Sequence, residues 1–80
     1  MKIQEFKQLD YTGRMAATSN GVCVAGRDEN KFKVLLYQLN DFYIEVYYHK
    51  FYNFISKFVA LDAHELPELY LERIKIPAFA

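Results

Sequence analysis

The sequence predicts an α+β fold, an antiparallel meander of four or five strands with a C-terminal helix packed on one face. Three observations predict it. Two alternating runs, 32–39 and 42–49, are joined by the turn dipeptide Asn40-Asp41. Further turn signals divide the preceding and following segments into strand-length pieces. A Leu-rich stretch with a helix-start signal follows at 62–76. A short N-terminal helix would complete the fold.

The chain is short enough to form one domain, residues 1–80. It is 52% hydrophobic and 18% aromatic, which is too apolar for a disordered chain. A chain of this size buries roughly 60% of its unfolded surface, so its core is thin. The single cysteine excludes an internal disulfide. Oligomerisation is one natural way to stabilise such a domain.

Residues 1–13 fit two patterns. Ile3, Phe6 and Leu9 recur at helical spacing, whereas Ile3, Leu9 and Tyr11 fit an alternating strand. We expect a short helix or a loosely packed arm that ends near Gly13.

Residues 14–61 are expected to form the meander, and its first part has two interpretations. Asn20-Gly21 is a strong hairpin signal, because both residues tolerate the positive φ angles of a type I′ turn. The preceding run is Ala-rich, however, so the same dipeptide could end a helix. The segment 26–31 is polar and predicts a turn.

The clearest prediction is the hairpin of 32–39 and 42–49. A two-residue loop fixes the register of its strands. One face then consists of the pairs Leu39–Phe42, Tyr37–Ile44, Leu35–Val46 and Lys33–Tyr48. The other face is amphipathic and consists of the pairs Gln38–Tyr43, Leu36–Glu45, Val34–Tyr47 and Phe32–His49.

The last two elements are a strand at 54–61 and a helix at 62–76. Asp62 and Glu65 have the spacing of a capping box, and Pro67 suits the first turn of a helix. An apolar stripe follows at helical spacing: Leu66, Leu69, Tyr70 and Ile74. We expect this helix to lie across the face that carries Tyr37, Ile44 and Val46.

The stretches LYQLNDFYIEVYYH and ELPELYLERI together resemble a family of small uncharacterised bacterial proteins. Its members carry a Tyr-x-Leu-x-x-Phe-Tyr-Val-Glu-Val hairpin and a C-terminal Leu-rich helix. The resemblance covers roughly residues 17–76. It implies the hairpin and the helix, and it brings no known activity and no functional residues.

Charge and composition narrow the function. Lys plus Arg equals Asp plus Glu, so the formal net charge is zero and nucleic acid is an unlikely partner. No stretch is long and apolar enough for a membrane span. The first ten residues lack the apolar segment of a signal peptide, so we expect a cytoplasmic protein.

No catalytic, cofactor-binding or metal-binding residues are predicted, and no cofactor. His49 and His64 lie far apart in sequence, which does not suit a metal site. Cys23 is expected to be a small core residue rather than a nucleophile. Glu45 is expected to be a solvated residue on the open sheet face, although a carboxylate among aromatic rings could act as an acid or base.

The sequence therefore predicts a non-enzymatic protein-interaction module, which self-associates as a dimer through an aromatic sheet face or binds an unknown protein. Surplus aromatic surface and a net charge of zero favour this function. The predicted surface is Phe32, Tyr43, Glu45, Tyr47, His49, Phe51 and Tyr52. The alternative is a binder of small molecules or single-stranded nucleic acid on the same aromatic face.

Overall fold

A computed structural model, which describes residues 1–66, shows a four-stranded antiparallel sheet preceded by two helices. The elements in chain order are α1 (Ile3–Lys7), α2 (Tyr11–Ser19), β1 (Val22–Glu29), β2 (Phe32–Leu39), β3 (Phe42–His49), β4 (Phe54–Asp62) and a 3₁₀ helix (Ala63–Glu65). The strands lie in the order β1-β2-β3-β4, so each pairs with its neighbour in sequence. The predicted α+β class and antiparallel meander are confirmed at this level.

The β2–β3 hairpin has the predicted boundaries and register. Tyr37 pairs with Ile44 and Leu36 pairs with Glu45. The turn residue Asn40 has a φ of 56°, and Asn30 and Asn53 have a φ of 54° in the other two hairpin turns. Asn tolerates the left-handed region better than other residues with a side chain. An asparagine therefore supports each reversal of the meander.

The N-terminal segment is helical beyond the predicted end at Gly13. The Asp10 side chain caps α2 by accepting a hydrogen bond from the Gly13 amide at 2.8 Å. Helix α2 continues to Ser19, and Asn20 is its C-cap. Of the two interpretations of Asn20-Gly21, the hairpin is wrong and the helix end is confirmed.

Gly21 is required by close approach rather than by its φ angle. A Cβ at this position would lie 2.7 Å from the backbone oxygen of Gln38 in β2. This contact is far inside van der Waals distance, so glycine allows the chain to pass directly from α2 into β1.

The main core lies between the two helices and one face of the sheet. Phe6 of α1 is 1% exposed and packs on Phe42 and Phe58, with ring centroids 5.9 and 6.3 Å apart. Ile44 and Val46 belong to the same cluster. The C-terminal helix was expected on this face, and that expectation concerns residues outside those that the structure describes. The N-terminal helices cover the face because Phe6 and Ala17 supply its apolar contacts.

The opposite face holds a second cluster, in which Leu66 packs with Leu36 and Tyr43. Immediately before Leu66, the Asp62–Glu65 capping box is present and opens the 3₁₀ helix. The Asp62 amide donates to the Glu65 carboxylate at 2.8 Å. The predicted helix at 62–76 lies, from residue 67 onward, outside the described residues.

β1 and β4, the outer strands of the sheet that residues 1–66 form, each contain an irregularity, whereas the β2–β3 ladder is regular throughout. In β1 the register shifts between Cys23 and Ala25. In β4 Lys57 pairs with Tyr47 and Ile55 with Tyr48, which leaves Ser56 as an extra residue. Such bulges bend and twist a strand locally.

Among the residues that the structure describes, no helix is both long and apolar enough to cross a membrane.

Candidate interaction site

One end of the sheet carries an exposed group of aromatic rings. Phe51 and Tyr52, in the β3–β4 turn, are each 75% exposed, and Phe54 at the start of β4 is also exposed. We call these three residues the aromatic tip. Large apolar side chains grouped at one place on a surface are a common mark of a contact site.

The aromatic tip is held by His49, the last residue of β3, which is only 6% exposed. Its Nδ1 accepts hydrogen bonds from the backbone amides of Phe51 and Tyr52, at 3.2 and 3.3 Å. Its carbonyl accepts from the Asn53 amide at 3.0 Å. Since Nδ1 acts as an acceptor, the neutral imidazole carries its proton on Nε2. A buried side chain thus replaces the missing backbone acceptors of the turn.

Ring packing reinforces these hydrogen bonds. The imidazole of His49 stacks on Phe54 with centroids 5.3 Å apart and planes 12° apart, and it lies 4.7 Å from the Tyr52 ring. On the other side, Phe32 of β2 meets the imidazole edge-on at 5.4 Å. The imidazole is therefore enclosed by rings from β2, from β4 and from the turn.

The neighbouring β1–β2 turn supports the same end of the sheet. The Lys50 amide donates to the Lys31 carbonyl at 2.9 Å, and the Lys50 ammonium lies 3.0 Å from the Asp28 carboxylate. The hydrogen bond from Lys50, with the charges of Lys33 and Lys50, lowers the pKa of Asp28 below its ordinary 3.8. One carboxylate therefore neutralises part of the lysine charge beside the aromatic tip.

Glu45 lies on the same sheet face as His49, and it is 5% exposed. The Arg27 guanidinium lies 3.2 Å from its carboxylate and 3.2 Å from the Tyr47 hydroxyl, and it also pairs with Glu29. The expectation of a solvated Glu45 is wrong, because β1 brings a cation across β2 to meet it. The sequence could have suggested this only if the register of β1 were known, and the bulge at Cys23/Ala25 obscures that register.

The predicted interaction surface divides into three groups by exposure. Tyr43, Glu45 and His49 are buried, and Phe32 and Tyr47 are half-buried. Phe51 and Tyr52 are open to solvent. Whether these residues bind a partner stays a prediction. Phe54 was not on the predicted surface. Its position at the start of β4, opposite His49, could have indicated that it belongs there.

The structure does not place Cys23 beside His49, whose imidazole could otherwise activate its thiol. Cys23 is exposed rather than part of the core, and its thiol contacts the Ala25 carbonyl at 3.6 Å. Through the strand pairing, Cys23 lies level with Ile44 of β3, five residues from His49. At about 3.3 Å per residue the two side chains are separated by roughly 17 Å along the sheet.

Asp62, His64 and Glu65 could offer three ligand atoms within 4.8 Å of one another. The Glu65 carboxylate already accepts the Asp62 amide, and this hydrogen bond is the main reason why its pKa lies below the ordinary 4.5. His64 and Glu65 are exposed. Capping of the 3₁₀ helix accounts for this grouping without a metal.

Comparison of the chain with protein-family models, with curated proteins and with solved structures finds no match. The resemblance to the small bacterial family stays a prediction.

Proposed function

We propose that the protein is a non-enzymatic interaction module that self-associates through the aromatic tip. The observation that carries this proposal is the 75% exposure of both Phe51 and Tyr52 on a turn that a buried histidine holds in place. Exposed aromatic rings lose little conformational freedom on binding when their backbone is already ordered.

The size of the tip determines the expected strength of association. Fully buried aromatic residues hide about 150–250 Å² each, so three partly exposed rings present on the order of 400 Å². A standard stable interface buries about 800 Å² on each partner. We therefore expect a weak and reversible dimer, with a Kd on the order of 100 µM.

Charge favours a second copy of the chain as the occupant. The formal net charge is zero, so two copies do not repel each other at long range. Beside the rings, the Lys50 ammonium is paired with Asp28 at 3.0 Å. A two-fold arrangement lets Phe51 of one copy pack on Tyr52 of the other and the reverse, as an isologous contact requires.

Sedimentation velocity over a range from about 10 µM to 1 mM tests the proposal around the expected Kd. Wild type should sediment faster with rising concentration, and the double variant Phe51→Ser/Tyr52→Ser should stay monomeric. The matched control is Val22→Ser. It changes an exposed apolar residue at the end of β1 that lies far from the aromatic tip, and it should associate as wild type does. Wild type that is monomeric throughout, or a double variant that associates normally, overturns the proposal.

A second candidate function is binding of single-stranded nucleic acid or a flat small molecule. Its specific support is the Lys57 ammonium, which lies 4.4 Å from the Tyr47 ring centroid on the same face as the tip. Bases stack on aromatic rings beside such cations. Oligonucleotide binding that weakens with salt and is lost in Tyr52→Ala would support it. No binding at low salt would remove the nucleic-acid branch.

A further inference from the structure

We infer that His49 makes the aromatic tip sensitive to pH, because protonation of its imidazole releases the turn that presents Phe51 and Tyr52. The inference rests on the proposed function, since it concerns the control of the same contact surface.

The geometry around Nδ1 distinguishes the two charge states of His49. A neutral imidazole accepts the Phe51 and Tyr52 amides through its Nδ1 lone pair, at 3.2 and 3.3 Å. An imidazolium has a hydrogen on both ring nitrogens and accepts nothing. Protonation therefore places three N–H groups against one another, and the amides must turn away from the ring.

The groups around the His49 imidazole determine which part of the structure moves when the ring is protonated. The ring faces of Phe54 and Tyr52 tolerate a positive charge, because aromatic faces attract cations. The backbone amides of Phe51 and Tyr52 do not tolerate the charge, because their N–H groups point at Nδ1. β3 is held by ladders on both sides, whereas Phe51 and Tyr52 lie in a turn and are each 75% exposed. The least costly response is a local opening of the turn with the sheet intact.

Charged groups of both signs lie on the elements around the imidazole, and they include Asp28 of β1, which pairs with Lys50. Lys50 and Tyr52 lie in its own turn, and Lys31 lies in the adjacent turn. Glu29 of β1 pairs with Phe32, and Lys57 of β4 lies over the Tyr47 ring. Among residues 1–66, no acidic side chain forms a salt bridge with His49.

The consequence concerns association. With neutral His49 the two rings are presented by an ordered backbone. With protonated His49 the same contact must first order the turn, which costs conformational entropy. Histidine is the side chain that ordinarily changes its charge in the mildly acidic range. We therefore expect stronger association at neutral pH than at mildly acidic pH.

NMR of the full chain tests the release directly. The ¹⁵N shifts of the imidazole report its charge state, and solvent exchange reports the protection of the Phe51 and Tyr52 amides. Between about pH 7.5 and pH 5 we expect this protection, corrected for the intrinsic exchange rate, to fall by about tenfold or more, in step with the change in the imidazole ¹⁵N shifts. Protonation of His49 with both amides still protected overturns the inference.

Two variants distinguish the contribution of His49 to the pH response from that of His64. His64, the only other histidine, is exposed in the 3₁₀ helix, so His64→Gln should leave the pH response unchanged. His49→Phe keeps the ring packing and removes the acceptor, so its two amides should be unprotected at both pH values. A response that disappears in His64→Gln overturns the inference, and the wild-type measurement decides if His49→Phe fails to fold.

Sedimentation at the same two pH values links the turn to association. Wild type that dimerises at about pH 7.5 and less so at pH 5, with His64→Gln alike, supports the inference. Wild type that is monomeric at both values overturns the proposed function, and the amide exchange still decides whether His49 holds the turn.

Discussion

Arg27 and Glu45 form an ion pair across an intervening strand, with 3.2 Å between the guanidinium and the carboxylate. Arg27 comes from β1 and Glu45 from β3, and the Glu45 side chain is nearly enclosed. Charges in such a place are costly unless they are paired, so this contact links three strands of the sheet.

Arg27→Met is expected to lower the free energy of unfolding by on the order of 3 kcal/mol, because Glu45 loses a cationic partner inside the sheet. The double variant with Glu45→Gln should cost less than the sum of the two single variants. Urea unfolding of the two single variants and the double variant, each compared with wild type, provides the double-mutant cycle. Lys33→Met is the control, since its pair with Asp28 at 3.9 Å is exposed to solvent and contributes little to stability. Equal losses in Arg27→Met and Lys33→Met would contradict the prediction.

Gly21→Ala is expected to destabilise the protein by about 2 kcal/mol, since the added methyl would overlap the Gln38 carbonyl at 2.7 Å and the backbone cannot yield cheaply. Gly26→Ala is the matched control. Its Cβ would first meet the end of the Leu35 side chain at 3.3 Å, which can rotate. Thermal unfolding distinguishes the two, and a Gly21→Ala protein as stable as Gly26→Ala would refute the close-approach argument.

Phe6→Ala is expected to cost about 3–5 kcal/mol, because it removes a buried ring between α1 and the sheet. Phe51→Ala changes the same residue type at a site that is 75% exposed, so it should stay within about 0.5 kcal/mol of wild type. Denaturant unfolding of the two variants measures the difference. Similar stabilities would show that α1 does not pack as described.

The Asp28 carboxylate should make stability fall on acidification. Its folded pKa lies below 3.8, so the stabilisation is complete above the unfolded value and is lost as pH falls through the folded one. In an NMR titration, Lys50→Gln should raise the Asp28 midpoint more than Lys33→Gln, since the hydrogen bond from Lys50 is the largest cause. An unchanged midpoint in Lys50→Gln would contradict this assignment.

The β2–β3 hairpin could be predicted residue by residue because two constraints act together. A two-residue loop at Asn40-Asp41 fixes the register, and strict alternation separates the two faces. β1 has neither constraint. Its sequence is small and polar, and the register shift after Cys23 breaks the alternation.

The arrangement of helices could not be derived from periodicity. The apolar face around Ile44 requires a cover, and amphipathic segments at both ends of the chain satisfy that requirement equally. Contacts of Phe6 and Ala17 place the N-terminal helices on this face, and no local pattern reveals those contacts. The role of His49 could not be predicted for a similar reason. Its imidazole accepts two backbone amides of the following turn, and backbone amides are common to every sequence.

The bulges in β1 and β4 affect how readily the protein forms fibres in concentrated solution. Within residues 1–66, the most apolar strands, β2 and β3, are internal, and the irregular strands, β1 and β4, lie at the edges. An irregular edge is a poor template for a strand from another molecule, so fibre growth requires the meander to open first. Amyloid formation should therefore follow the rate of unfolding, and variants that slow unfolding should delay it.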